Sequence, residues 1–399
     1  MARLEEPANR SRRGHLWPIT HLRCCRVPPL PGHVQALRDC TDNPRTGDGM
    51  DTRFRPRDWI VLYRCSDPSG RTLVNVVTGA RAYVNFPELD THDQLGTADG
   101  LLVLINKGGN DVSLLNPLTG ALIRFPPLTI DEAVNLPSLY GPSSFPTDWL
   151  PVDPTAIISA GIDDSTSPST LVLCLRPRRY LIVCAKPGDE NWAYGRVSEK
   201  RTAGKVALVQ SPATFGGRCY FTTMASEIMA LDLSPGARWP LLTFLLDEDP
   251  PVNAEISSFL IRSQGRMLMV RYMFGANLVQ GGGYDETEIF MWRGCPSRME
   301  VFEVDVTGRR LVGQSGVGND HAAFVGAAHA VMVSTKKFPK IAANSVYLNY
   351  YMRQRGHFGA YHFEDRKATH PRAPKGQSRR FYPCACHWEL EDYLVVCDV

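Results

Sequence analysis

Short apolar runs separated by polar loops recur along most of this chain after residue 50. The run DWIVLYR (58–64) is followed by a polar loop, a second apolar run and the hexapeptide NVVTGA (75–80). A shift of 41 residues places DGLLVLI (99–105) on the first run and NPLTGA (116–121) on the hexapeptide. Each unit therefore consists of an apolar run, a polar loop, an apolar run, Asn-x-x-Thr-Gly, an apolar run and a proline.

This unit predicts β-strands joined by tight turns. Its apolar runs are short and rich in Val, Leu and Ile, and loops containing Gly and Ser or Asn separate them, as is typical of strands. Gly79 and Gly120 follow the threonine of each hexapeptide, and glycine adopts the positive φ of a tight turn without a Cβ clash. The proline after the third run has no N–H for a sheet ladder and therefore predicts the end of a strand.

A repeat of about 40 residues with several strands in each copy is typical of a β-propeller blade. Stacking of such sheets around an axis covers faces that a single sheet leaves exposed. The pattern predicts an all-β propeller of about six four-stranded blades, and seven stay open because 130–180 is weakly patterned. Looser copies of the unit lie at 178–197, at 217–233, at 265–274 with 299–313, where Thr307-Gly308 again marks a turn, and at 328–351 with 359–365.

The two ends of the chain differ from the repeats. The run DYLVVCDV (392–399) has no sequential partner and predicts a C-terminal strand that closes the propeller, because closure removes exposed sheet edges. Residues 1–50 are rich in Pro and Arg, and they predict an irregular segment with one short helix around 34–38. The expected organisation is an irregular N-terminal segment, 1–50, and a propeller, 51–399.

Composition narrows the function classes only slightly. The chain has 399 residues, of which 43% are hydrophobic and 21% charged, as in ordinary globular proteins. A net charge of +3 is too small to indicate a nucleic-acid or membrane partner, and the longest nearly apolar run, 322–333, is too short to span a bilayer. Eleven irregularly spaced cysteines predict reduced thiols, and no apolar signal segment is visible. We expect a soluble protein of the cytoplasm or nucleus.

Several segments also match a known family pattern. The segments are CTDNPR (40–45), RFRPRDWIVLY (53–63), LLNPLTGALIRFPPL (114–128), AKPGDENW (185–192), VFEVDVTGRRLV (301–312) and STKKFPKIAANSVYL (334–348). Through these segments, residues 40–399 resemble the KIB-type β-propellers of plant F-box-associated proteins, which are classed as a domain of unknown function.

The resemblance implies an F-box in front of the propeller. An F-box is a small helical module that docks on the Skp-type adaptor of a cullin ubiquitin ligase, and the propeller would then be the receptor for an unknown protein target. Here Leu30-Pro31 is followed by Gly32 and almost at once by the post-F-box segment, so most of the module is truncated. The chain is expected to be a non-enzymatic interaction module, either a substrate receptor or a derivative that has lost adaptor binding.

The candidates for metal-binding or catalytic residues in this sequence are weak. Cys384, Cys386 and His387 form the densest ligand-type cluster, but zinc needs four ligands and His370 is isolated, which favours ordinary thiols. Asp320-His321 lies near Ser315, yet the G-x-S-x-G elbow of a nucleophilic serine is missing and a polar turn is favoured.

The remaining candidates also have simpler interpretations. The segment GGGYDE (281–286) lacks the Lys-Ser/Thr of a phosphate loop, the acidic run 247–249 is interpreted as a solvated loop, and Trp59 and Trp192 as core. A basic loop at 366–380 is interpreted as solvated, with an anionic partner as the alternative. No catalytic, cofactor-binding or metal-binding residue is predicted. The loop contains Arg366, Lys367, Arg372, Lys375, Arg379 and Arg380.

An enzyme remains the alternative function, because propellers also carry hydrolase and lyase sites at the mouth of the central channel. Three or more Asp, Glu, His or Cys side chains that converge at one mouth would favour the enzyme.

Overall fold

A computed structural model of the chain supplies the coordinates. It describes residues 50–62, 70–128, 157–175, 181–197, 210–223, 226–234, 240–246, 256–274, 296–326, 330–349 and 360–369. These residues form 25 β-strands, a 3-10 turn at Thr52–Phe54 and one short α-helix, α1 (Glu88–Thr91). None of the helices in these ranges is long and apolar enough to cross a membrane.

The strands form six sheets that follow one another along the chain and that we number as blades 1 to 6. Blade 1 contains β1 (Trp59–Leu62), β2 (Gly70–Asn75) and β3 (Arg81–Asn85); blade 2 contains β4 (His92–Ala98), β5 (Leu101–Asn106), β6 (Asp111–Leu115) and β7 (Leu122–Pro127); blade 3 contains β8 (Ile157–Asp163), β9 (Thr170–Leu175), β10 (Leu181–Ala185) and β11 (Ala193–Tyr194).

Blades 4 to 6 follow the same plan, with an added edge strand in two of them. Blade 4 contains β12 (Arg196–Val197), β13 (Gln210–Phe215), β14 (Arg218–Thr222), β15 (Ile228–Asp232) and β16 (Leu241–Phe244); blade 5 contains β17 (Ile256–Ser263), β18 (Arg266–Phe274), β19 (Pro296–Asp305) and β20 (Arg310–Gln314); blade 6 contains β21 (His321–Gly326), β22 (Ala330–Ser334), β23 (Ser345–Asn349), β24 (Ala360–His362) and β25 (Lys367–Thr369).

The blades form a closed ring. A buried apolar cluster joins each blade to the next, and blade 6 returns to blade 1 through Phe324 and Val333, which pack with Ile60 and Val74. The Ser334 N–H also donates to the Val76 carbonyl at 3.0 Å. The six-bladed propeller is therefore confirmed, and the seven-bladed alternative is wrong because blades 2 and 3, on either side of residues 129–156, share one core.

The sequence repeat begins one strand later than the structural blade. The 41-residue shift superposes β1, β2 and β3 on β5, β6 and β7, so the first strand of blade 2, β4, stands at the end of the repeat. Strand β4 reads HDQLGTA and is mostly half-buried. It packs beside β8, the first strand of blade 3, at the inner side of the ring. This inner position requires few large apolar residues, which is why the apolar pattern did not predict the strand.

The two hexapeptides form the same turn, which explains their near identity. Asn75 Oδ1 accepts hydrogen bonds from the amides two and three residues later, at 3.1 and 2.8 Å, and Asn116 Oδ1 does the same at 3.0 and 3.2 Å. Gly79 and Gly120 have φ of 75° and 73°. The predicted left-handed glycine is confirmed at both turns.

In the turn at the third Thr-Gly pair, Thr307-Gly308, the left-handed residue is shifted by one position relative to the two hexapeptides. A turn does follow β19, and Asp305 Oδ1 accepts from the Gly308 N–H at 2.7 Å. The positive φ, 52°, belongs however to Arg309. The sequence motif thus located the turn but not the residue with the left-handed backbone.

Blade 6 departs from the regular strand order. Strand β22 is the innermost strand, beside β17 of blade 5, and β21 lies between β22 and β23 and runs parallel to β23. The unit predicted at 328–351 with 359–365 therefore did not include the strand at 321–326, which belongs to the same blade.

Blade 1 has three strands within the described residues. The predicted closing strand 392–399 and the segment 1–49 lie outside them, so the boundary at residue 50 stays a prediction.

Candidate functional site

The residues just before β1 cover one end of the propeller. The turns β4–β5, β8–β9 and β17–β18 all lie at this end, as do the two Asn-x-x-Thr-Gly turns, and we call it the turn face. Met50 is buried in the cluster between blades 2 and 3, and Asn116 Nδ2 donates to the Phe54 carbonyl at 3.0 Å. Residues 50–58 therefore run across the turn face from blades 2 and 3 to blade 1.

Arg55 occupies the centre of this arrangement. Its side chain has no exposed surface. The Nε atom donates to the Met50 carbonyl at 2.8 Å, and one terminal nitrogen contacts Asp164 Oδ1 at 2.6 Å and Ser169 Oγ at 3.1 Å. The other terminal nitrogen lies 3.2 Å from Asp99 Oδ2 and 3.0 Å from Asp164 Oδ2. One guanidinium thus joins the N-terminal segment to the first turns of blades 2 and 3.

Two further arginines complete the network. Arg57 Nε donates to Asp99 Oδ2 at 2.8 Å. Arg262, at the end of β17 in blade 5, reaches Asp99 Oδ1 at 3.2 Å and lies 3.7 Å from Asp58. We call Arg55, Arg57, Arg262, Asp58, Asp99 and Asp164 the arginine–aspartate network. Three positive and three negative groups balance, which is what burial of charge requires.

A tight backbone approach holds the segment against blade 2. Gly100, in the β4–β5 turn, has φ of 89°, and a Cβ atom there would lie 2.1 Å from the Pro56 carbonyl oxygen. Glycine is therefore required at this position for steric reasons as well as for its φ. The preceding residue, Asp99, also has a positive φ, 51°, which directs its carboxylate into the network.

Three aspartates do converge at one channel mouth, which is the arrangement that would favour an enzyme. Each carboxylate, however, lies within 4 Å of a guanidinium, and Asp99 interacts with all three arginines. Guanidinium hydrogen bonds occupy oxygens of Asp99 and Asp164 that a substrate proton would need. The network therefore holds the segment in place. Sequence reasoning missed it because its members come from four distant segments.

The Asp320, His321 and Ser315 candidates do not form a catalytic set. The Asp320 carboxylate pairs with Lys336 Nζ at 2.5 Å, and His321 Nε2 lies 3.0 Å from Gln264 Nε2. Burial lowers the pKa of His321; the Asp320 carboxylate opposes this shift, and the charges of Lys336 and Arg266 add to it. Ser315 lines a small open pocket of about 260 Å³ together with Arg266 and Asn344. The predicted interpretation as a polar turn agrees with these contacts.

Most other candidates lie outside the described residues. These include Cys384, Cys386, His387 and His370, the segments 247–249 and 281–286, and four of the six basic-loop residues, Arg372, Lys375, Arg379 and Arg380. Arg366 and Lys367 are exposed. In the ranges that the structure describes, no group of three or more His, Cys, Asp or Glu residues is placed to hold a metal ion.

The tryptophan predictions can be checked directly. Trp192 is buried, and its Nε1 donates to the Pro126 carbonyl at 2.9 Å between blades 3 and 2. Trp59 is half-buried against the cluster between blades 1 and 2. Both residues therefore belong to the blade packing, as predicted.

Three free thiols lie inside the core between blades 3 and 4. Cys174, Cys184 and Cys219 are buried in one apolar cluster. Burial raises the pKa of Cys174 to about 12 and raises those of Cys184 and Cys219 as well. Such thiols stay protonated and unreactive at neutral pH, because the thiolate is the nucleophile and the metal ligand.

The closed ring of six sheets defines the class of this protein as a six-bladed β-propeller, a fold that serves widely as a protein-interaction frame. The KIB1-4 β-propeller family model matches residues 73–370, and the chain belongs to this family. The resemblance seen in the sequence is thus confirmed for the propeller. No curated protein matches the chain.

The similar solved structures are distant. The N-terminal domain of Nup159 is 10% identical over 63% of this chain and 62% of its own, with a TM-score of 0.23. The WD40 domain of SCAP from fission yeast is 8% identical over 65% of this chain and 53% of its own, with a TM-score of 0.32. The PQQ-bound aldose sugar dehydrogenase from Streptomyces coelicolor is 12% identical over 64% and 81%, with a TM-score of 0.25. The chain thus spans less than two thirds of the first two structures. Likenesses this distant carry no argument about function.

Proposed function

We propose that this protein is a non-enzymatic interaction module that binds a protein target on the turn face. The observation that supports this most is the pair of exposed apolar side chains at equivalent turn positions of adjacent blades. Val77 is 47% exposed and Leu118 is 43% exposed. Each lies two residues after the asparagine whose side chain closes the turn.

Rigid turns make these side chains suitable for binding. Asn75 and Asn116 fix the turns through two side-chain hydrogen bonds each. A contact residue on a preorganised turn loses little conformational freedom when a partner binds, so more of the burial energy contributes to affinity. The arginine–aspartate network lies on the same face, which offers these turns as a platform for a protein surface.

The finer proposal is that the chain is the partner-binding half of an F-box-type substrate receptor and has lost most of its ligase-binding half. An F-box needs an apolar helical face, whereas residues 1–50 offer mainly Leu30, Val34 and Leu37 beside prolines at 28, 29 and 31. Association costs at least about 4 kcal/mol, which so small an apolar set does not outweigh. In the cytoplasm or nucleus, such a protein would compete with intact receptors for its target.

The first experiment tests the binding face. Tagged wild-type protein, a Val77→Ser/Leu118→Ser variant and a Val312→Ser variant are each used for affinity purification with mass spectrometry. Val312 is 42% exposed but lies on blade 5, away from the two turns, so it is the matched control. We expect partners that the control retains and the double variant loses. Identical partner sets for all three proteins would contradict binding at these turns.

The second experiment tests the ligase connection. Purified full-length protein is incubated with a Skp-type adaptor, and a relative with an intact F-box is the positive control. We expect no binding at micromolar concentrations. Micromolar binding that disappears on removal of residues 1–50 would restore the ligase-receptor function.

A further inference from the structure

A row of three polar residues crosses blade 5 on the side that faces blade 4. Ser258 on β17 is directly opposite Arg271 on β18, and Arg271 is opposite Glu300 on β19. Residues directly opposite each other in antiparallel strands place their side chains on the same face, with Cβ atoms about 5 Å apart. The row lies five residues from the β17–β18 turn, toward the end of the propeller opposite the turn face.

Two hydrogen-bond donors in this row are buried and have no acceptor in the part of the chain that the structure describes. Arg271 is only 9% exposed, and among the described residues its Nε–H has no hydrogen-bond partner. Ser258 is fully buried, and its hydroxyl group likewise has none. Buried polar groups in native proteins are nearly always paired, so an unpaired guanidinium nitrogen beside an unpaired hydroxyl points to a ligand that supplies the acceptors.

The surroundings hold the guanidinium rigidly. It lies over the Phe302 ring, with 4.8 Å between its central carbon and the ring centroid. Blade 4 forms the facing wall, where the Thr222 hydroxyl donates to the Ser258 carbonyl at 2.8 Å. Such stacking is typical of arginines that bind oxyanions, because the flat guanidinium keeps its edge free for hydrogen bonds.

The local charge selects the class of oxyanion. Glu300 pairs with Arg298 at 2.7 Å and is also directly opposite Arg271, so two arginines share its one negative charge. Arg271, Arg298 and Glu300 together carry a net charge of +1. Burial lowers the pKa of Arg271, although a guanidinium stays protonated at neutral pH. A carboxylate, with one negative charge, matches this balance, whereas a phosphate dianion would add a charge that Glu300 repels.

We propose that Arg271 and Ser258 form a binding site for one carboxylate group of an acidic peptide segment in a protein partner. The guanidinium Nε–H and the serine hydroxyl donate to the two carboxylate oxygens, and Phe302 fixes the plane of the pair. This inference rests on the proposed interaction function and adds a chemical requirement to it. The site lies between blades 4 and 5 and is separate from the turn face.

The test follows the Arg271 Nε–H resonance by NMR in full-length protein labelled at arginine, with the resonance assigned from the Arg271→Lys variant. The probes are N-acetyl-glycyl-glutamate amide, its glutamine counterpart and inorganic phosphate. We expect a saturable downfield shift with the glutamate peptide alone. Ser258→Ala should weaken binding several-fold, Arg271→Lys at least tenfold, and Arg310→Gln, whose side chain on the same blade is 68% exposed and pairs with Asp305, less than twofold.

Each other outcome overturns the proposal. A response to phosphate without one to the glutamate peptide would assign a different anion, and no response to any probe would exclude an anion site. Equal shifts with the glutamate and glutamine peptides would exclude recognition of charge. Partner capture that is unchanged in Arg271→Lys, with the correctly folded variant verified by circular dichroism, would reject this site while the interaction function stands.

Discussion

Arg55 and Asp164 are 109 residues apart in the chain, and their side chains form an ion pair of 2.6 Å. The arginine side chain is 0% exposed and the aspartate 11%. The pair connects the segment in front of blade 1 to the first turn of blade 3, and Asp99 extends the connection to blade 2. Residues 50–58 are therefore an integral part of the propeller and contribute to the packing of three blades.

Arg55→Ala should destabilise the protein strongly. Removal of Arg55 leaves Asp164 with Arg57 at 3.9 Å and takes one of three arginines from Asp99, and breaking such a buried ion pair costs about 3–5 kcal/mol. Arg53→Ala is the matched control, because the Arg53 side chain is 62% exposed and its ion pair with Asp51 is local, so its loss should cost at most about 1 kcal/mol. Urea titration followed by fluorescence measures both. Equal losses in the two variants would mean that the network does not stabilise the fold.

Gly120→Val should cost more than Ala121→Val. At φ of 73° a valine is strained by about 1–2 kcal/mol, since its Cβ approaches the following carbonyl. A Cβ atom at Gly120 would meet no atom within 4 Å, so the cost arises from the backbone alone. Denaturant titration of the two variants separates the effects. Equal stabilities would argue against a left-handed glycine in the turn.

Deletion of residues 390–399 should destabilise the whole propeller. Blade 1 has three described strands whereas each of the other blades has at least four, so a further strand has a place in this sheet. An unpaired sheet edge and the apolar faces beside it would be exposed by the loss of that strand. Calorimetry of the truncated protein is the measurement. A cooperative transition at the wild-type temperature would show that the C-terminal strand does not close the ring.

Acid should destabilise the protein partly through His321. Its pKa in the folded state is lowered by burial, so the unfolded chain, with an ordinary pKa of about 6.5, binds the proton more readily. The contribution is complete above about pH 6.5 and is lost as the pH falls toward the lowered pKa. His321→Gln should reduce the drop in unfolding free energy across this range. An unchanged pH dependence in the variant would assign the effect to other groups.

The sequence alone predicted the propeller, because local apolar runs mark its strands and short local motifs mark its turns. Asn75 and Gly79 repeat at Asn116 and Gly120, and the backbone of each turn depends only on those few residues. The packing of Trp59 and Trp192 followed from the same local patterns, and the family from the resemblance of several segments. The apolar pattern did not predict strand β4, because this inner strand is half-buried. The turn after β19 was predicted correctly from Thr307-Gly308, but its left-handed residue is Arg309, because Asp305 and Arg309 stand in the positions of the usual Asn and Gly.

Only the tertiary structure decided which charges meet. Arg55, Asp99, Asp164 and Arg262 come from blade 1, two first turns and the end of β17, and no spacing along the chain relates them. Closure of the ring brings these turns to one end of the axis, and burial there forces each charge to find an opposite one. The same closure places blade 4 over Ser258 and Arg271 and removes water from their donors. Composition could not reveal this, because the burial of a residue depends on the packed ring. The sequence of a strand shows only which residues alternate between its two faces.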